Sequence, residues 1–268
     1  SDTNQTTRHD EWRAIPKVEL HSHLDCTLSL DVVSRLAPGT TEQEYWEEYV
    51  APERCSSLAN YLEYTSAGVR LLQGRRALQL VVRDLFRQLA RDNVIYTEIR
   101  FAPLLHTRNG LPGDIVVETI EAACNDAALE SGIEARLILC TMRHFTRKQS
   151  LRTVELVQAF AGTRVIALDI AGDEAGFSLE EHEQAFRVAM RQGIPVTAHA
   201  GEASGPDSVW DTLMKCQPQR IGHGLHSIDD PKLVDELRRR QIHLEICPLC
   251  NVQTGAVAHL AAHPVARL

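Results

Sequence analysis

Seven short runs rich in β-branched and apolar residues recur along the chain, and amphipathic helix-length segments separate most of them. The runs span residues 17–25, 94–103, 134–142, 164–174, 195–202, 220–226 and 242–251, and the helical stretches include 75–92, 113–131, 149–161, 179–192 and 231–240. Strict strand-helix alternation implies a parallel sheet, because each helix carries the chain back to the end where it started. With seven such units a closed barrel is expected in preference to an open sheet.

At 268 residues and 44% apolar content the chain can bury one sizeable core. No linker, low-complexity tract or shorter repeat divides it, so one domain over residues 1–268 is expected. Residues 28–73 form a long excursion between the first two runs and carry Tyr45, Trp46, Tyr49, Tyr61 and Tyr64. A helical insertion there would cap one barrel mouth, either as a substrate lid or as packing helices.

The formal charge of -8, with no basic stripe, argues against nucleic acid and anionic membranes and leaves small molecules as the expected partners. No stretch reaches the ~18 apolar residues of a membrane span. The polar N-terminal tail, residues 1–14, lacks the apolar centre of a secretory signal, so a cytoplasmic location is expected. Seven scattered cysteines, mostly in apolar strand-like segments, read as reduced buried thiols, and the Asn4-Gln5-Thr6 sequon then carries no weight.

Residues able to bind metal or move protons gather at the C-terminal ends of the strands, where barrel enzymes place their sites. In His21-Ser22-His23 the two imidazoles are two apart on a strand and share a face, so both can address one cation. The fifth run ends in His199-Ala200-Gly201-Glu202, adding a third imidazole and a carboxylate. Three histidines suffice for a catalytic zinc site with a position left open for water. Gly222-His223-Gly224 ends the sixth run, its small neighbours freeing the imidazole to reach the cavity. Glu202 and His223 are therefore candidate proton movers.

The other histidines, His9, His106, His144, His182, His226, His243, His259 and His263, are read as packing or surface residues. Cys247-Pro248-Leu249-Cys250 has the spacing of a metal or redox pair, but no second pair completes a tetrahedral site, and a strand end packed under the cavity is the simpler reading. Asp229-Asp230 before Pro231 reads as a helix N-terminus, where carboxylates accept free backbone donors.

Six motifs resemble, in order, those of the adenosine and adenine deaminase family. They are Pro16-Lys17-Val18-Glu19-Leu20-His21-Ser22-His23-Leu24-Asp25, Tyr96-Thr97-Glu98-Ile99-Arg100-Phe101-Ala102-Pro103, Asp169-Ile170-Ala171-Gly172-Asp173-Glu174, His199-Ala200-Gly201-Glu202, Arg220-Ile221-Gly222-His223-Gly224 and Glu245-Ile246-Cys247-Pro248. The resemblance implies a (β/α)8 TIM barrel of the amidohydrolase type and zinc-dependent hydrolytic deamination of adenosine to inosine and ammonia. It implies one zinc per chain on His21, His23 and His199. Glu202 would protonate the purine ring nitrogen, and His223 would orient and deprotonate the attacking water. The Gly172 backbone would contact the ring, Asp25 would meet the ribose, and Leu58, Tyr61 and Leu62 would form an apolar gate.

Asp25, where the family's free-base enzymes tend to have Glu, favours adenosine over adenine. Cys26 stands where the family usually has Gly, and its side chain would crowd the sugar or change the turn. The sequence also ends before the family's eighth strand, which carries two aspartates for zinc and a ring nitrogen. The remainder of a longer polypeptide is the favoured cover for the gap. The alternatives are self-association, a second chain, or a truncated and impaired product. Two further functional readings are an adenine or modified-purine deaminase and an inactive purine-binding barrel.

Overall fold

The seven runs become seven parallel strands in the computed structural model, which describes residues 11–268. His9, the Asn4-Gln5-Thr6 sequon and most of the polar tail lie outside the described residues. The strands are β1 (Lys17–His23), β2 (Val94–Phe101), β3 (Glu134–Met142), β4 (Val165–Ala171), β5 (Thr197–Ala200), β6 (Arg220–His223) and β7 (His243–Glu245). β1 to β4 pair in sequence, as do β5 to β7, and a parallel bridge from Leu168 to Val196 joins the two sets. The result is a TIM barrel of the amidohydrolase type that lacks its eighth strand: β1 and β7 are the outer strands, and no ladder joins them among the described residues.

The insertion after β1 contains helices α1 (Leu30–Leu36), α2 (Glu42–Glu48) and α3 (Leu58–Leu71), and α4 (Arg75–Arg91) leads into β2. The later crossovers are α5 (Gly113–Ser131), α6 (Arg147–Ala159), α7 (Glu183–Arg191), α8 (Pro206–Lys215) and α9 (Pro231–Arg240). Side chains set these limits. Thr146 and Gln149 form a reciprocal capping box at the start of α6, and Asp230 accepts the Lys232 N–H at the start of α9, as read from Asp229-Asp230. Gly132, at φ 74°, ends α5 in the left-handed conformation.

Alternation along the strands divides the interior in two. In β4, Leu168 and Ile170 pack toward helix residues such as Ile120 and Leu156 in the main apolar cluster, whereas Asp169 turns into the barrel. A smaller cluster under the second set of strands joins Ile221 to Val209, Leu213, Leu233 and Leu237.

The expected run that departs most from its bounds is the last. The run 242–251 is strand only over His243–Glu245, and residues 248–253 form helix α10 (Pro248–Gln253). Proline cannot donate to a strand ladder, and its fixed φ suits a first helical turn. Asn251 N–H accordingly bonds to Cys247 C=O at 2.9 Å, a helical i to i-4 link.

Candidate active site

The C-terminal ends of the strands converge on one cavity of about 900 Å³, and His21, His23, His199, Glu202 and His223 all line it. The nitrogens of the first three nearly touch: His23 Nε2 lies 3.4 Å from His21 Nε2 and 3.1 Å from His199 Nε2. Two nitrogens on one tetrahedral zinc sit roughly 3.3 Å apart, given Zn–N distances near 2.0–2.1 Å. That spacing suits either a shared cation or, without one, a proton on His23 Nε2.

The outer faces of the rings fix which nitrogen is free. His21 Nδ1 is 2.8 Å from Glu245 Oε2, and His199 Nδ1 is 3.0 Å from the Ile170 carbonyl and 3.2 Å from Asp169 Oδ1. Carboxylates and carbonyls only accept, so both Nδ1 atoms carry the proton and both Nε2 atoms turn lone pairs inward. Burial, with the neighbouring Arg100 and imidazoles, holds His21, His23 and His223 well below their ordinary pKa and hence neutral, the form that binds metal. At His199 burial also disfavours the charge, but the Asp169 carboxylate outweighs it and raises the pKa, so a cation bound there would displace a proton from that ring. With that exchange the donor set fits a resident divalent cation. A different triad, His21, His199 and His223, has its ligand atoms all within 4.8 Å of one another.

Arg100 organises this arrangement from below. Its guanidinium donates to Asp169 Oδ2 at 3.0 Å, to Glu245 Oε2 at 2.7 Å and to the Leu20 carbonyl at 2.6 Å. Burial works against the charge, but the two carboxylates outweigh it and hold the proton more firmly than usual. One buried cation thus ties together the two acids that orient His21 and His199. The motifs containing Arg100, Asp169 and Glu245 were visible in the sequence, but no spacing signal links residues on β2, β4 and β7.

Glu202 follows a tight turn at Gly201, whose φ of 67° favours glycine. The buried Glu174 carboxylate fixes that turn by accepting the backbone N–H groups of Gly201, Glu202, Ala203 and Ser204 at 2.6 to 3.1 Å. Burial raises the Glu202 carboxyl pKa to about 7; His199 lowers it, but the nearby Glu174 charge adds to the rise. His223 Nε2 stands 3.4 Å from Glu202 Oε2, and its backbone adopts φ 66°, a conformation a side chain rarely tolerates. A side chain at 222 would crowd the cluster: a Cβ there would lie 3.0 Å from His21 Cε1 and 3.2 Å from His199 Cγ.

The remaining candidates line the same cavity. Leu58, Tyr61 and Leu62 share one face of α3, and Gly172, at φ 107°, brings backbone to the cavity wall beside Met142. Asp25 is buried, which raises its pKa to about 6, and its Oδ2 lies 3.9 Å from His106 Nε2. His106, read from the sequence as a packing residue, is therefore near the cavity as well. The Cys26 thiol donates to Asp25 Oδ1 at 3.8 Å, and the Cys250 thiol to Glu202 Oε1 at 3.7 Å. All seven cysteines are free thiols. Among the described residues no helix is long and apolar enough to cross a membrane.

A parallel barrel with an imidazole cluster at the C-terminal ends of its strands defines a metal-dependent amidohydrolase. The adenosine deaminase family model matches residues 16–268. An adenosine deaminase of Mycolicibacterium gilvum is 38% identical over 280 residues, covering 96% of this chain and 77% of that protein. Among solved structures, an adenine deaminase from Arthrobacter aurescens aligns with a TM-score of 0.86 at 26% identity, over 95% of this chain and 78% of that one. A Burkholderia ambifaria amidohydrolase with bound Zn aligns with a TM-score of 0.82 at 26% identity, over 90% and 67%. The chain belongs to the adenosine deaminase family and is a hydrolytic deaminase.

Proposed function

We propose that this deaminase converts adenosine to inosine and ammonia, using one zinc ion held by His21, His23 and His199. The observation that carries the reading is a buried carboxyl, Glu202, held near neutral pKa beside the imidazole cluster on one cavity wall. Zinc held by those imidazoles would supply a water acidified toward pH 7. The aromatic ring accepts attack at the amino-bearing carbon only if its adjacent nitrogen gains a proton, and Glu202 is the acid placed to give it. His223 orients the attacking water. Gly172 offers its backbone to the ring, and Leu58, Tyr61 and Leu62 close over it and exclude bulk water.

Asp25 separates nucleoside from free base. Its carboxyl sits in the same cavity, with His106 behind it, and meets the ribose hydroxyls that adenine lacks. Net charge -8 and a cavity of about 900 Å³ suit a free nucleoside rather than a nucleic acid. The structural likeness to an adenine deaminase supports adenine as the second reading. Loss of ultraviolet absorbance measures both reactions. The expected kcat/KM for adenosine exceeds that for adenine by about a hundredfold or more, since a site built to hydrogen-bond a group rejects analogues lacking it. A preference for adenine by the same margin would transfer the assignment to the free base, and tight binding without turnover would support an inactive purine binder.

A further inference from the structure

Two triads of imidazoles share His21 and His199, and the proton on the remaining ring decides between them. A chain of hydrogen bonds reaching His223 from the far side settles where that proton is. It starts at a backbone amide, whose role is fixed. Val265 N–H donates to His263 Nδ1 at 3.1 Å, so His263 Nδ1 is unprotonated and its ring hydrogen is on Nε2. That Nε2 lies 3.1 Å from Asn251 Oδ1 and donates to it, which sets the orientation of the amide. The amide nitrogen therefore faces His223, and Asn251 Nδ2 donates to His223 Nδ1 at 3.1 Å. His223 Nδ1 is thus an acceptor. Asn251 and His263 are buried, so water does not compete freely for these bonds.

We infer that His263 and Asn251 are positioning residues that fix the proton of His223 on Nε2 and so keep that ring out of the metal's ligand set. A metal ligand must present a lone pair, and a protonated Nε2 has none. His21 and His199 have the opposite polarity, because their Nδ1 atoms donate to acceptors. The four clustered rings are thereby divided: His21 and His199 turn lone pairs inward, with His23 Nε2 beside both, and His223 faces the cavity as a donor.

For the reaction proposed above, on which this consequence rests, His223 orients the attacking water by donating to it. In that tautomer Nε2 has no lone pair for the water's proton, so orientation is the part of its expected role that His223 keeps. The relay also gives α10 and the segment after it a task in the site, through Asn251 and His263.

Long-range 15N–1H spectra of histidine-labelled protein, metal-free and zinc-loaded, read the tautomer directly. Wild-type His223 is expected to show the Nε2–H pattern in both. Asn251→Asp keeps the shape but replaces the donor by an acceptor, and should move His223 to Nδ1–H. His263→Leu breaks the relay and should leave a tautomer mixture, whereas His263→Gln retains a donor and an acceptor and should preserve Nε2–H. In adenosine turnover, Asn251→Asp and His263→Leu should lose at least tenfold in kcat with KM changed less than about threefold, and His263→Gln should recover most of it. An Nδ1–H or zinc-coordinated His223 in the wild type overturns the relay, even if either variant fails to fold. So does a folded Asn251→Asp that keeps Nε2–H. Absence of adenosine turnover in zinc-loaded wild type overturns the functional reading instead and leaves the tautomer result standing.

Discussion

Glu202 sets stability against chemistry at a single side chain. In the unfolded chain its carboxyl ionises near pH 4.5, but in the folded protein it holds its proton to about pH 7. The folded state binds the additional proton between those values, so stability falls as pH rises through this window and reaches its full loss above it. At about 1.4 kcal/mol per pH unit the cost is roughly 3 kcal/mol. Glu202→Gln removes the ionisation. In urea melts of metal-free protein, its stability relative to wild type should therefore rise by about this amount between pH 4 and pH 8; a difference that stays constant with pH contradicts the assignment. The same variant should keep its zinc and lose a hundredfold or more in turnover, as expected when a general acid is removed. Retained turnover would remove Glu202 from that role. At this scale the imidazoles were legible because the joint arrangement of four of them at strand ends is improbable by chance. The carboxylates behind them, and His263, were not, because a partner's role depends on contacts between distant parts of the chain.

Strands and turns carry these residues with little slack. β6 approaches β1 and β5 so closely that Gly222 leaves 3.0 Å between a hypothetical Cβ and the His21 ring. Gly222→Ala should push His21 and His199 apart and weaken zinc binding by tenfold or more, with far-UV circular dichroism unchanged. Equal affinity in the variant would show that the rings have room to adjust. Element limits were legible where local chemistry marks them: β3 and α5 match their expected spans residue for residue, and α9 begins at the Pro231 that follows its Asp230 cap. The run 242–251 was misread because its apolar, β-branched composition hides a proline-initiated helix turn, and periodicity does not separate short apolar strands from short helices. The three helices of the insertion could not be resolved individually. α1 and α2 span only 7 residues each, too short for a clear 3.6-residue period, although Ser29, Thr41 and Ser57 cap the three as side-chain acceptors.

For the molecule as a whole, the barrel gathers imidazole nitrogens 3.1 to 3.4 Å apart at one point, and among the described residues no ladder joins its first and last strands. The cavity reflects this, since Val18 and Leu20 of β1 and His243 and Leu244 of β7 also line it. A cation that neutralises the cluster acts on the folded state alone. At a thousandfold excess over its Kd it adds about 4 kcal/mol, or roughly 8–16 °C in Tm for a chain of this size. Chelation should lower Tm by that order in a thermal melt, and no change would mean the imidazoles hold no resident ion. The parallel strand-helix order was legible from alternation and the eight-unit barrel from the family resemblance, whereas the opening between β1 and β7, against the closed barrel expected from seven units, became concrete only with the strand pairings. The central claim, that three imidazoles and one acid work around a single ion, is tested most directly by titrating zinc into metal-stripped protein while following adenosine turnover. Turnover should rise from background and saturate at one equivalent per chain. Turnover that is present without metal and unchanged by zinc would contradict the account.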